Sequence, residues 1–402
     1  MNMQKFNLFI VALFLAVFMG CTTICRVTQE KNRVSEVYNN FCRTKVGDLR
    51  EHLFSVNWDD QGSELVLRGE VDDQRLKSLF ISELHSRGVE VIDQIRVLPD
   101  SVVGAACWGL VNLSVANLRS GARHSAEMGT QALLGTPVKV LDRKGSWYRV
   151  QTPDRYIAWV DAAGISTKTQ EEMDRWRGSS RIIITADYGY VFSNPKQQVR
   201  VSDLVMGDIL EVKMAISDGW KVVFPDGRTG FVRKECAEDF AHWSKNTHPT
   251  AQRVISLGKS FMGRPYLWGG TSTKAMDCSG FVKTIYFNNG IILARDASLQ
   301  TKHGGLVETS NNWKQLQPGD LVFFGKPASK GTHESVTHVG MYIGDSEFIH
   351  CAGKVKINSF DSTRDNYSNY RSISLIRGRR VLSSPDVEGI IKIAHDCWYF
   401  QR

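Results

Sequence analysis

Hydrophobic and polar positions alternate with changing period along the first hundred residues of the chain. Over residues 31–52, apolar residues recur three or four positions apart, which predicts a helix with one apolar face. The pattern then predicts a strand at 65–67, a helix at 73–87 and a strand at 89–97. Together these elements predict a small α+β module over residues 30–100.

The next segment, up to about residue 240, consists of short alternating runs separated by Gly, Pro, Asp and Asn, which is the pattern of small β-barrels. Part of this pattern occurs twice and indicates an internal repeat. The matching segments are L-L-G-T-P-V-K-V (133–140) with W-Y-R-V (147–150), and V-M-G-D-I-L-E-V (205–212) with W-K-V-V (220–223). We therefore predict two tandem barrels, over residues 103–168 and 180–242.

A third pattern, over residues 248–382, combines helices with antiparallel strands. Helices are predicted at 253–262 and from Cys278 to Asn288. Three strands follow, at 319–324, 336–343 and 347–350. A helix that carries a cysteine, ahead of a sheet that carries histidines, is the α+β plan of papain-like peptidases. The predicted fold is therefore a multidomain chain, with a papain-like domain preceded by two small β-barrels and a small α+β module.

The first 21 residues have the pattern of an export signal. Lys5 is followed by an apolar run over residues 8–19, then by Gly20, Cys21 and polar sequence. The run is shorter than the roughly 20 apolar residues of a membrane-spanning helix. Gly20-Cys21 resembles a bacterial lipoprotein cleavage site, although the two preceding residues fit that site poorly. Lipid anchoring at Cys21 and plain secretion both stay open, and both predict a location in the periplasm or cell envelope.

Composition narrows the class of partner. The net charge of +8 is spread along the chain without a dense Lys/Arg block or a basic helix interleaved with aromatic residues, so no nucleic acid partner is predicted. The charge favours either work beside an anionic envelope or an ordinary solvated surface. Eight cysteines are scattered without a C-x-x-C pair, which argues against a zinc ribbon and a dense disulfide framework. A single disulfide stays open.

Cys278 stands where a nucleophile would be expected. The thiolate is the attacking species, and a helix N-terminus together with a paired imidazole keeps a thiol partly deprotonated. Asp277 and Ser279 can cap the helix that begins here, and Gly280 allows another segment to approach closely. This signal alone is weak, because a cysteine beside small residues is usually a buried structural thiol.

Two histidines supply the candidate base. His338 lies in T-H-V-G-M-Y-I-G, a predicted strand, and His350 follows twelve positions later across a predicted hairpin. A polar group bonded to the base fixes its tautomer and orients its ring toward the thiol. A zinc site formed by these histidines and Cys351 is the alternative. It is disfavoured because adjacent strand residues such as His350 and Cys351 point to opposite faces.

Five segments together resemble the NlpC-type family of cell-wall cysteine peptidases. They are R-P-Y-L-W-G-G, D-C-S-G-F, L-Q-P-G-D-L-V-F-F, T-H-V-G-M-Y-I-G and F-I-H, in the family's order between about residues 250 and 380. The resemblance implies that Cys278 is the nucleophile, His338 the general base and His350 the orienting third residue. It also implies that Tyr266 supports the oxyanion beside the N–H of Cys278. It implies no metal and no organic cofactor.

The two barrels resemble bacterial Src-homology-3-like domains, through N-L-R-S at Asn117 and an aromatic closing strand in each copy. Such domains commonly bind cell-wall peptide, and a spacer role is the alternative. Paired barrels before this peptidase resemble the subgroup of γ-D-glutamyl-L-diamino acid endopeptidases, which cleave stem peptides with a free N-terminal L-Ala. In that subgroup a barrel residue closes one end of the cleft and acidic groups hold the substrate ammonium.

The subgroup resemblance assigns five positions to substrate binding. They are Glu127, Tyr156, Asp277, Ser279 and Ser298. For Glu127 the alternative is a solvated turn residue. For Tyr156 it is packing within the barrel, with Trp159 as an equal candidate for the substrate contact.

The predicted reaction is hydrolysis of the bond between γ-D-Glu and the diamino acid of peptidoglycan stem peptides. The expected partner is a free L-Ala-γ-D-Glu-diamino acid peptide, and membrane contact is expected only through a lipid anchor. Lysine and meso-diaminopimelate both stay open as the diamino acid. Two other functions are kept: a wall-binding scaffold with an inactive catalytic domain, and an open-cleft endopeptidase that acts on intact sacculi.

Overall fold

A computed structural model describes residues 29–61, 64–196, 199–309, 313–329, 331–384 and 386–401. The predicted export signal and its Cys21 lie outside these ranges. The chain divides into two compact units at Val102 and Val103. Within the described residues, no helix has both the length and the apolar character needed to cross a membrane.

The first unit is a three-stranded sheet with two helices. Its elements are α1 (29–41), β1 (Phe54–Gln61), β2 (Glu64–Val71), α2 (Gln74–Ser86) and β3 (Val91–Val97). The sheet order is β1-β2-β3, with β1 antiparallel and β3 parallel to β2. Asp73 caps α2 by accepting hydrogen bonds from two backbone N–H groups of its first turn.

The predicted helix over residues 31–52 is wrong beyond residue 41. A π-helical turn follows over Cys42–Val46, and Gly47 ends it with φ at 86°. Strand β1 was not predicted, although Phe54, Val56 and Trp58 alternate with polar residues as a half-buried strand requires. The side chains of Phe54 and Val56 are buried in the core of this unit.

The second unit begins with two β-barrels of the same topology. The first contains β4 (Trp108–Val111), β5 (Val115–Arg119), β6 (Met128–Leu133), β7 (Pro137–Lys144), β8 (Trp147–Gln151), β9 (Ile157–Asp161) and β10 (Ile165–Lys168). Helix α3 (Gln170–Gly178) leads to the second. It contains β11 (Arg181–Ile184), β12 (Tyr188–Phe192), β13 (Arg200–Val205), β14 (Ile209–Ile216), β15 (Gly219–Val223), β16 (Thr229–Arg233) and β17 (Ala237–Asp239).

The order of the first sheet is β10-β4-β7-β8-β9-β5-β6, and that of the second, read from its other edge, is β17-β11-β14-β15-β16-β12-β13. The two orders are identical strand for strand, so the sequence repeat is a structural repeat. Gly135 and Gly207 occupy matching turns before β7 and β14, and both have positive φ, at 75° and 96°. Each turn therefore needs glycine, which explains why this residue is kept in both copies of the pattern.

The third body of the chain carries a six-stranded antiparallel sheet. Helix α4 (Phe240–Asn246) packs on β11 and β17 of the second barrel and leads to this body. The helices of the body itself are α5 (Ala251–Ser260), α6 (Cys278–Phe287), α7 (Ala297–Gln300) and α8 (Asn369–Ser374). Short strands β18 (Thr271–Ser272), β19 (Ala275–Met276) and β20 (Ile291–Leu293) flank α6. The main sheet contains β21 (Gly305–Val307), β22 (Leu321–Lys326), β23 (Ser335–Gly344), β24 (Glu347–Ala352), β25 (Lys354–Ser359) and β26 (Leu375–Arg380).

The sheet order is β21-β26-β22-β23-β24-β25, and α6 packs on β23 and β24 at its centre. A shared core of buried residues, including Phe281, Ile285, Val339 and Ile349, joins the helix to the sheet. This arrangement confirms the predicted fold class, a papain-like α+β domain behind two barrels. It also brings the start of α6 close to the two central strands that carry the histidines.

The segment after residue 382 was left outside the predicted catalytic domain, yet it is part of this body. Strand β27 (Ile390–Lys392) pairs with β20, and Tyr399 is fully buried. Tyr399 belongs to an apolar cluster that also contains Leu110 of the first barrel, Ile183 of the second and Ile292 of β20. The segment therefore connects the three bodies of the second unit.

Candidate active site

Cys278 is the first residue of helix α6. Asp277 caps this helix, because its carboxylate accepts a hydrogen bond of 2.6 Å from the backbone N–H of Gly280. A Cβ atom on Gly280 would lie 2.0 Å from the carbonyl oxygen of Gly270, so only glycine allows the preceding loop to approach this closely. This confirms the expected close approach at Gly280. The tight loop holds the start of the helix, and with it the thiol, in a fixed place.

The Cys278 thiol is 8% exposed and lies next to strand β23. Burial, and then the negative charge of Asp277, raise its pKa to about 11, while hydrogen bonding from the Val339 N–H and the charge of Arg295 act in the opposite direction. Burial therefore opposes the partial deprotonation expected from the helix N-terminus, and a partly deprotonated thiol stays a prediction.

The two predicted histidines lie side by side on adjacent strands. His338 Nε2 and His350 Nδ1 are 2.8 Å apart, and their rings are perpendicular. Asp345 and Ser346, both with positive φ, form the tight turn between β23 and β24 that returns the second histidine beside the first. Val339, the neighbour of His338, is the residue whose N–H acts on the Cys278 sulfur. The structure thus places the two histidines side by side, and the residue next to His338 contacts the Cys278 sulfur.

Asn358 on β25 extends the hydrogen-bonded pair of histidines by one more polar side chain. His350 Nε2 lies 2.9 Å from Asn358 Oδ1, and Asn358 Nδ2 donates a hydrogen bond of 2.9 Å to the carbonyl oxygen of Asn366. A carbonyl can only accept, so the amide of Asn358 must point its NH2 group at Asn366 and its oxygen at His350. The Nε2 atom of His350 therefore carries a proton.

This proton assignment fixes the tautomer of His338. A neutral His350 that donates through Nε2 accepts through Nδ1, so the Nε2 atom of His338 must be the donor between the two rings. Burial and the nearby charges of Arg371, His350 and Lys356 hold the pKa of His338 well below 6.5, so its ring is neutral at neutral pH. Its Nδ1 atom is then left with a lone pair, as a general base requires.

We predict that Asn358→Ala lowers kcat by about 10-fold, the size of effect typical for residues that orient an active imidazole through a hydrogen bond. Asn358→Asp should restore part of this rate and move the acid limb of the pH–rate profile to higher pH. The reason is that a carboxylate stabilises the protonated histidine pair, while activity needs its neutral form. Profiles of kcat against pH for the three proteins test this, and superimposable acid limbs would show that Asn358 has only a structural role.

The geometry of His350 and Cys351 bears on the alternative of a zinc site. Both ring nitrogens of His350 have hydrogen-bond partners within the site. Cys351 points to the opposite face, where its Sγ donates to the carbonyl oxygen of Met276 at 3.2 Å in the core. The expected alternation of His350 and Cys351 is therefore confirmed, and the two side chains are not arranged to chelate one ion.

Asp277 and Ser279, two of the predicted substrate-binding residues, form a buried polar cluster with Arg295. The Arg295 guanidinium, 1% exposed, contacts both carboxylate oxygens of Asp277 at 2.6 and 3.2 Å and donates to Ser279 Oγ at 2.8 Å. Its Nε donates to Thr130 of the first barrel at 2.9 Å. Burial alone lowers the pKa of Arg295, but the charge of Asp277 raises it overall. The charge of Asp277 is thus already paired, and its contact with a substrate ammonium stays a prediction.

The first barrel reaches the site through strand β6 and the residue before it. Glu127 accepts a hydrogen bond of 2.8 Å from Trp268 Nε1, in the loop that leads to Cys278. Gln131 accepts hydrogen bonds from the backbone N–H and the hydroxyl of Thr271, at 3.0 and 2.9 Å. Glu127 is exposed, and no basic side chain pairs with it in the part of the chain that the structure describes. Its charge is therefore available to a ligand.

The remaining predicted residues lie around the same cluster. Tyr156 is half-buried, with its hydroxyl against Gly129 at the start of β6 and close enough to Arg295 to act on its charge. Trp159, the other candidate, is buried, and the guanidinium of Arg149 lies 4.6 Å from its ring centre. This position favours Tyr156 over Trp159 as the residue that faces the site.

Tyr266 and Ser298 are the last two predicted site residues. Tyr266 is half-buried against the core that contains Cys278, and burial followed by the charge of Cys278 raises the pKa of its hydroxyl, which is a proton donor at all physiological pH values. Ser298 lies in α7, which packs against β23. Tyr266 therefore lies near the thiol, Ser298 lies in a helix that contacts α6 and β23, and the contacts of both residues with substrate stay predictions.

Sequence reasoning missed Arg295, Thr130 and Asn358. Arg295 carried a signal, because a lone arginine followed by aspartate inside an otherwise apolar stretch, I-I-L-A-R-D-A, is expected to need a buried acidic partner. Asn358 lies eight residues after His350 in a strand that was not predicted. The position of Asn358 beside His350 becomes visible only when β25 is paired with β24. In the same pairing, Lys356 lies directly opposite His350.

Comparisons with known proteins identify the family of this chain. The model of the NlpC/P60 family matches residues 263–377, and that of the bacterial SH3 domain matches residues 114–166. A γ-D-glutamyl-L-lysine dipeptidyl-peptidase of Bacillus cereus is 34% identical over 232 residues, which cover 56% of this chain and 67% of that protein. The chain belongs to the NlpC/P60 family.

A second γ-D-glutamyl-L-lysine dipeptidyl-peptidase, from Bacillus subtilis, is 29% identical over 230 residues, or 55% of this chain and 71% of that protein. The solved structure of an NlpC/P60 family protein from Bacillus cereus superposes with a TM-score of 0.58 and 26% identity, over 68% of this chain and 99% of that one. These findings confirm the family and the subgroup suggested by the sequence motifs. This member of the NlpC/P60 family is therefore a cell-wall cysteine peptidase.

Proposed function

We propose that this NlpC/P60 peptidase hydrolyses the bond between γ-D-Glu and the diamino acid in free stem peptides that begin with L-Ala. The observation that carries the proposal is the position of Glu127, an unpaired carboxylate that the first barrel contributes beside the loop leading to Cys278. A carboxylate at the closed end of a cleft pairs with a free terminal ammonium, whereas an N-acylated, glycan-linked stem offers no such charge. The two similar Bacillus proteins are named as γ-D-glutamyl-L-lysine dipeptidyl-peptidases, which supports the same substrate class.

The proposed reaction passes through a thioester. His338 Nδ1 takes the thiol proton as the Cys278 sulfur attacks the γ-carbonyl carbon of D-Glu. The N–H of Cys278, which the helix does not use, and the hydroxyl of Tyr266 stabilise the oxyanion. His338 then returns its proton to the departing amine of the diamino acid. A water molecule, deprotonated by the same nitrogen, releases L-Ala-D-Glu and restores the thiol.

The charge pattern around the thiol assigns separate roles to the acidic residues. Asp277 is paired with Arg295, which holds the start of α6 and links it to Thr130 of the first barrel. Glu127 has no such partner, so we assign the substrate ammonium to Glu127, with Tyr156 beside it. Asp277, Ser279 and Ser298 are proposed to complete the pocket.

We further propose that the enzyme acts in the periplasm or cell envelope, where free stem peptides are released from the wall, after export by its N-terminal segment.

A product assay tests this function. The mature protein is incubated with L-Ala-γ-D-Glu-L-Lys, with the meso-diaminopimelate analogue, with the N-acetylated tripeptide and with intact sacculi, and products are identified by mass. Release of L-Ala-D-Glu from the free tripeptides alone is the expected result. Solubilised sacculi would instead point to an open cleft, and binding without any product would point to a scaffold.

We predict that Glu127→Gln raises KM for the free tripeptide by about 10- to 100-fold and changes kcat little, because it removes one charge-assisted contact that is made equally in ground and transition states. The N-acetylated tripeptide should stay uncleaved by both proteins. Glu171→Gln, at an exposed position of α3, is the matched control and should leave both constants unaltered. An unchanged KM in Glu127→Gln would rule out this residue as the ammonium partner.

A further inference from the structure

Arg371 stands out among the basic residues near the base. It lies in α8, half-buried, and its guanidinium carbon is 5.2 Å from the ring centre of Phe324. Phe324 pairs with His338 across β22 and β23, and their rings are 5.8 Å apart. Arg371 therefore lies on the same side of the sheet as the histidine pair, one aromatic ring away from His338.

The guanidinium of Arg371 has no hydrogen-bond acceptor among the described residues. Its neighbours along the chain all have one: Arg364 pairs with Glu347 at 3.3 Å, Arg377 with Glu334, and Arg380 with Asp320 at 2.8 Å. The rings of Phe324 and Tyr370 lie near the guanidinium, but a half-buried cation without an anionic partner is still costly, because part of its hydration is lost. Such a group is preserved at a functional site when a ligand supplies the missing anion.

The electrostatics place this cation at the reacting centre. Burial lowers the pKa of Arg371, while the charges of Tyr370 and Cys278 act in the opposite direction, and Arg371 in turn lowers the pKa of His338 and of His350. Lys356, opposite His350 in the β24–β25 pair, adds to the positive field on the two histidines. The histidine side of the thiol is therefore positive, whereas the side next to the first barrel carries Glu127 and Asp277.

We propose that Arg371 binds the α-carboxylate of the diamino acid, the residue that leaves when the γ-D-glutamyl bond is cleaved. The inference rests on the proposed function, since it assumes the direction in which that peptide lies. His338 hands its proton to the departing amine, so the groups around His338 face the departing residue. A cleft with a free carboxylate at one end and a free guanidinium at the other matches a short zwitterionic peptide that ends directly after the scissile bond.

This inference predicts a preference for the tripeptide acid over its C-terminal amide. In the wild type, kcat/KM for L-Ala-γ-D-Glu-L-Lys should exceed that for the amide by about 10- to 100-fold, the value of one charge-assisted, partly buried contact. Arg371→Gln should lose this factor for the acid and change turnover of the amide less than about 3-fold. Arg371→Lys should keep part of the preference, because it keeps the charge but not the planar fork.

The design separates the competing explanations. Equal losses for acid and amide in Arg371→Gln would overturn the inference and give Arg371 only an electrostatic effect on the thiol. A second test uses a peptide whose D-Glu carries an amide in place of its α-carboxylate. If Arg371→Gln causes no loss of kcat/KM for this peptide, Arg371 contacts the D-Glu carboxylate on the other side of the scissile bond. That result would also overturn the inference. Arg200→Gln, in the second barrel, where the guanidinium stacks 3.8 Å from the ring centre of Tyr190, is the matched control and should keep the wild-type preference.

Failure of the proposed function would show itself differently, as no turnover of either peptide by the wild type. Calorimetry on Cys278→Ala then still decides the inference, since it needs binding and not chemistry. The tripeptide acid should bind at least about 10-fold more tightly than its amide, and Arg371→Gln in the same background should remove the difference. Equal affinity for acid and amide would end the inference.

Discussion

Replacing Cys278 with alanine is expected to lower kcat for the tripeptide by about 10⁴-fold or more, because no other group can form the thioester. The helix start should survive the change, since the cap at Asp277 and the close contact at Gly280 do not involve the sulfur. KM or peptide affinity should therefore stay near the wild-type value. Single-turnover assays with product detection by mass, together with calorimetric binding, measure the two quantities separately.

The control for this experiment is Cys236→Ala, which removes a free, half-buried thiol from the second barrel. It should leave kcat unaltered, so that a loss in Cys278→Ala reports on the reaction and not on thiol content. Comparable turnover by wild type and Cys278→Ala would remove Cys278 as the nucleophile and, with it, the proposed mechanism. Loss of peptide affinity together with turnover would instead indicate a collapsed site.

Replacing Arg295 with methionine is expected to destabilise the second unit by about 3–5 kcal/mol, because it leaves the Asp277 carboxylate buried without its counter-charge. Activity should fall as well, since the same guanidinium joins the helix that starts at Cys278 to Thr130 of the first barrel. Urea unfolding followed by tryptophan fluorescence gives the free energy of unfolding.

A double-mutant cycle distinguishes the stability lost through the unpaired charge from the stability lost through packing. Asp277→Asn combined with Arg295→Met should recover part of the stability that Arg295→Met alone loses, because no unpaired charge remains. Arg175→Met removes an exposed ion pair with Glu171 in α3 and should cost less than about 1 kcal/mol. A similarly small cost for Arg295→Met would mean that the Asp277–Arg295 pair contributes little to stability.

Local patterns in the sequence predicted the elements that depend on neighbouring residues. The start of α6 at Cys278 follows from Asp277 as a cap, and the order of β22, β23 and β24 follows from apolar runs separated by turn residues. The pairing of His338 with His350 followed from strand alternation and the length of the hairpin. Each of these features is set within about a dozen residues, which is the range over which sequence periodicity carries information.

Features that depend on distant residues were not predicted. The ion pair of Asp277 with Arg295 was not predicted, because Arg295 lies eighteen positions away and meets Asp277 only in the packed fold. The raised pKa of Cys278 has the same origin, since burial of the thiol depends on β23 and not on the helix alone. Asn358 and Arg371 belong to elements after the recognised motifs, where the sequence offered neither turn signals nor strong periodicity.

The burial of Tyr399 has a consequence for how the two sides of the site are held. The apolar cluster around this residue draws on both barrels and on β20. Loss of this cluster would loosen the first barrel, which carries Glu127, from the body that carries Cys278. The segment around Tyr399 therefore stabilises the spacing across the proposed peptide pocket, although none of its own residues is assigned to that pocket.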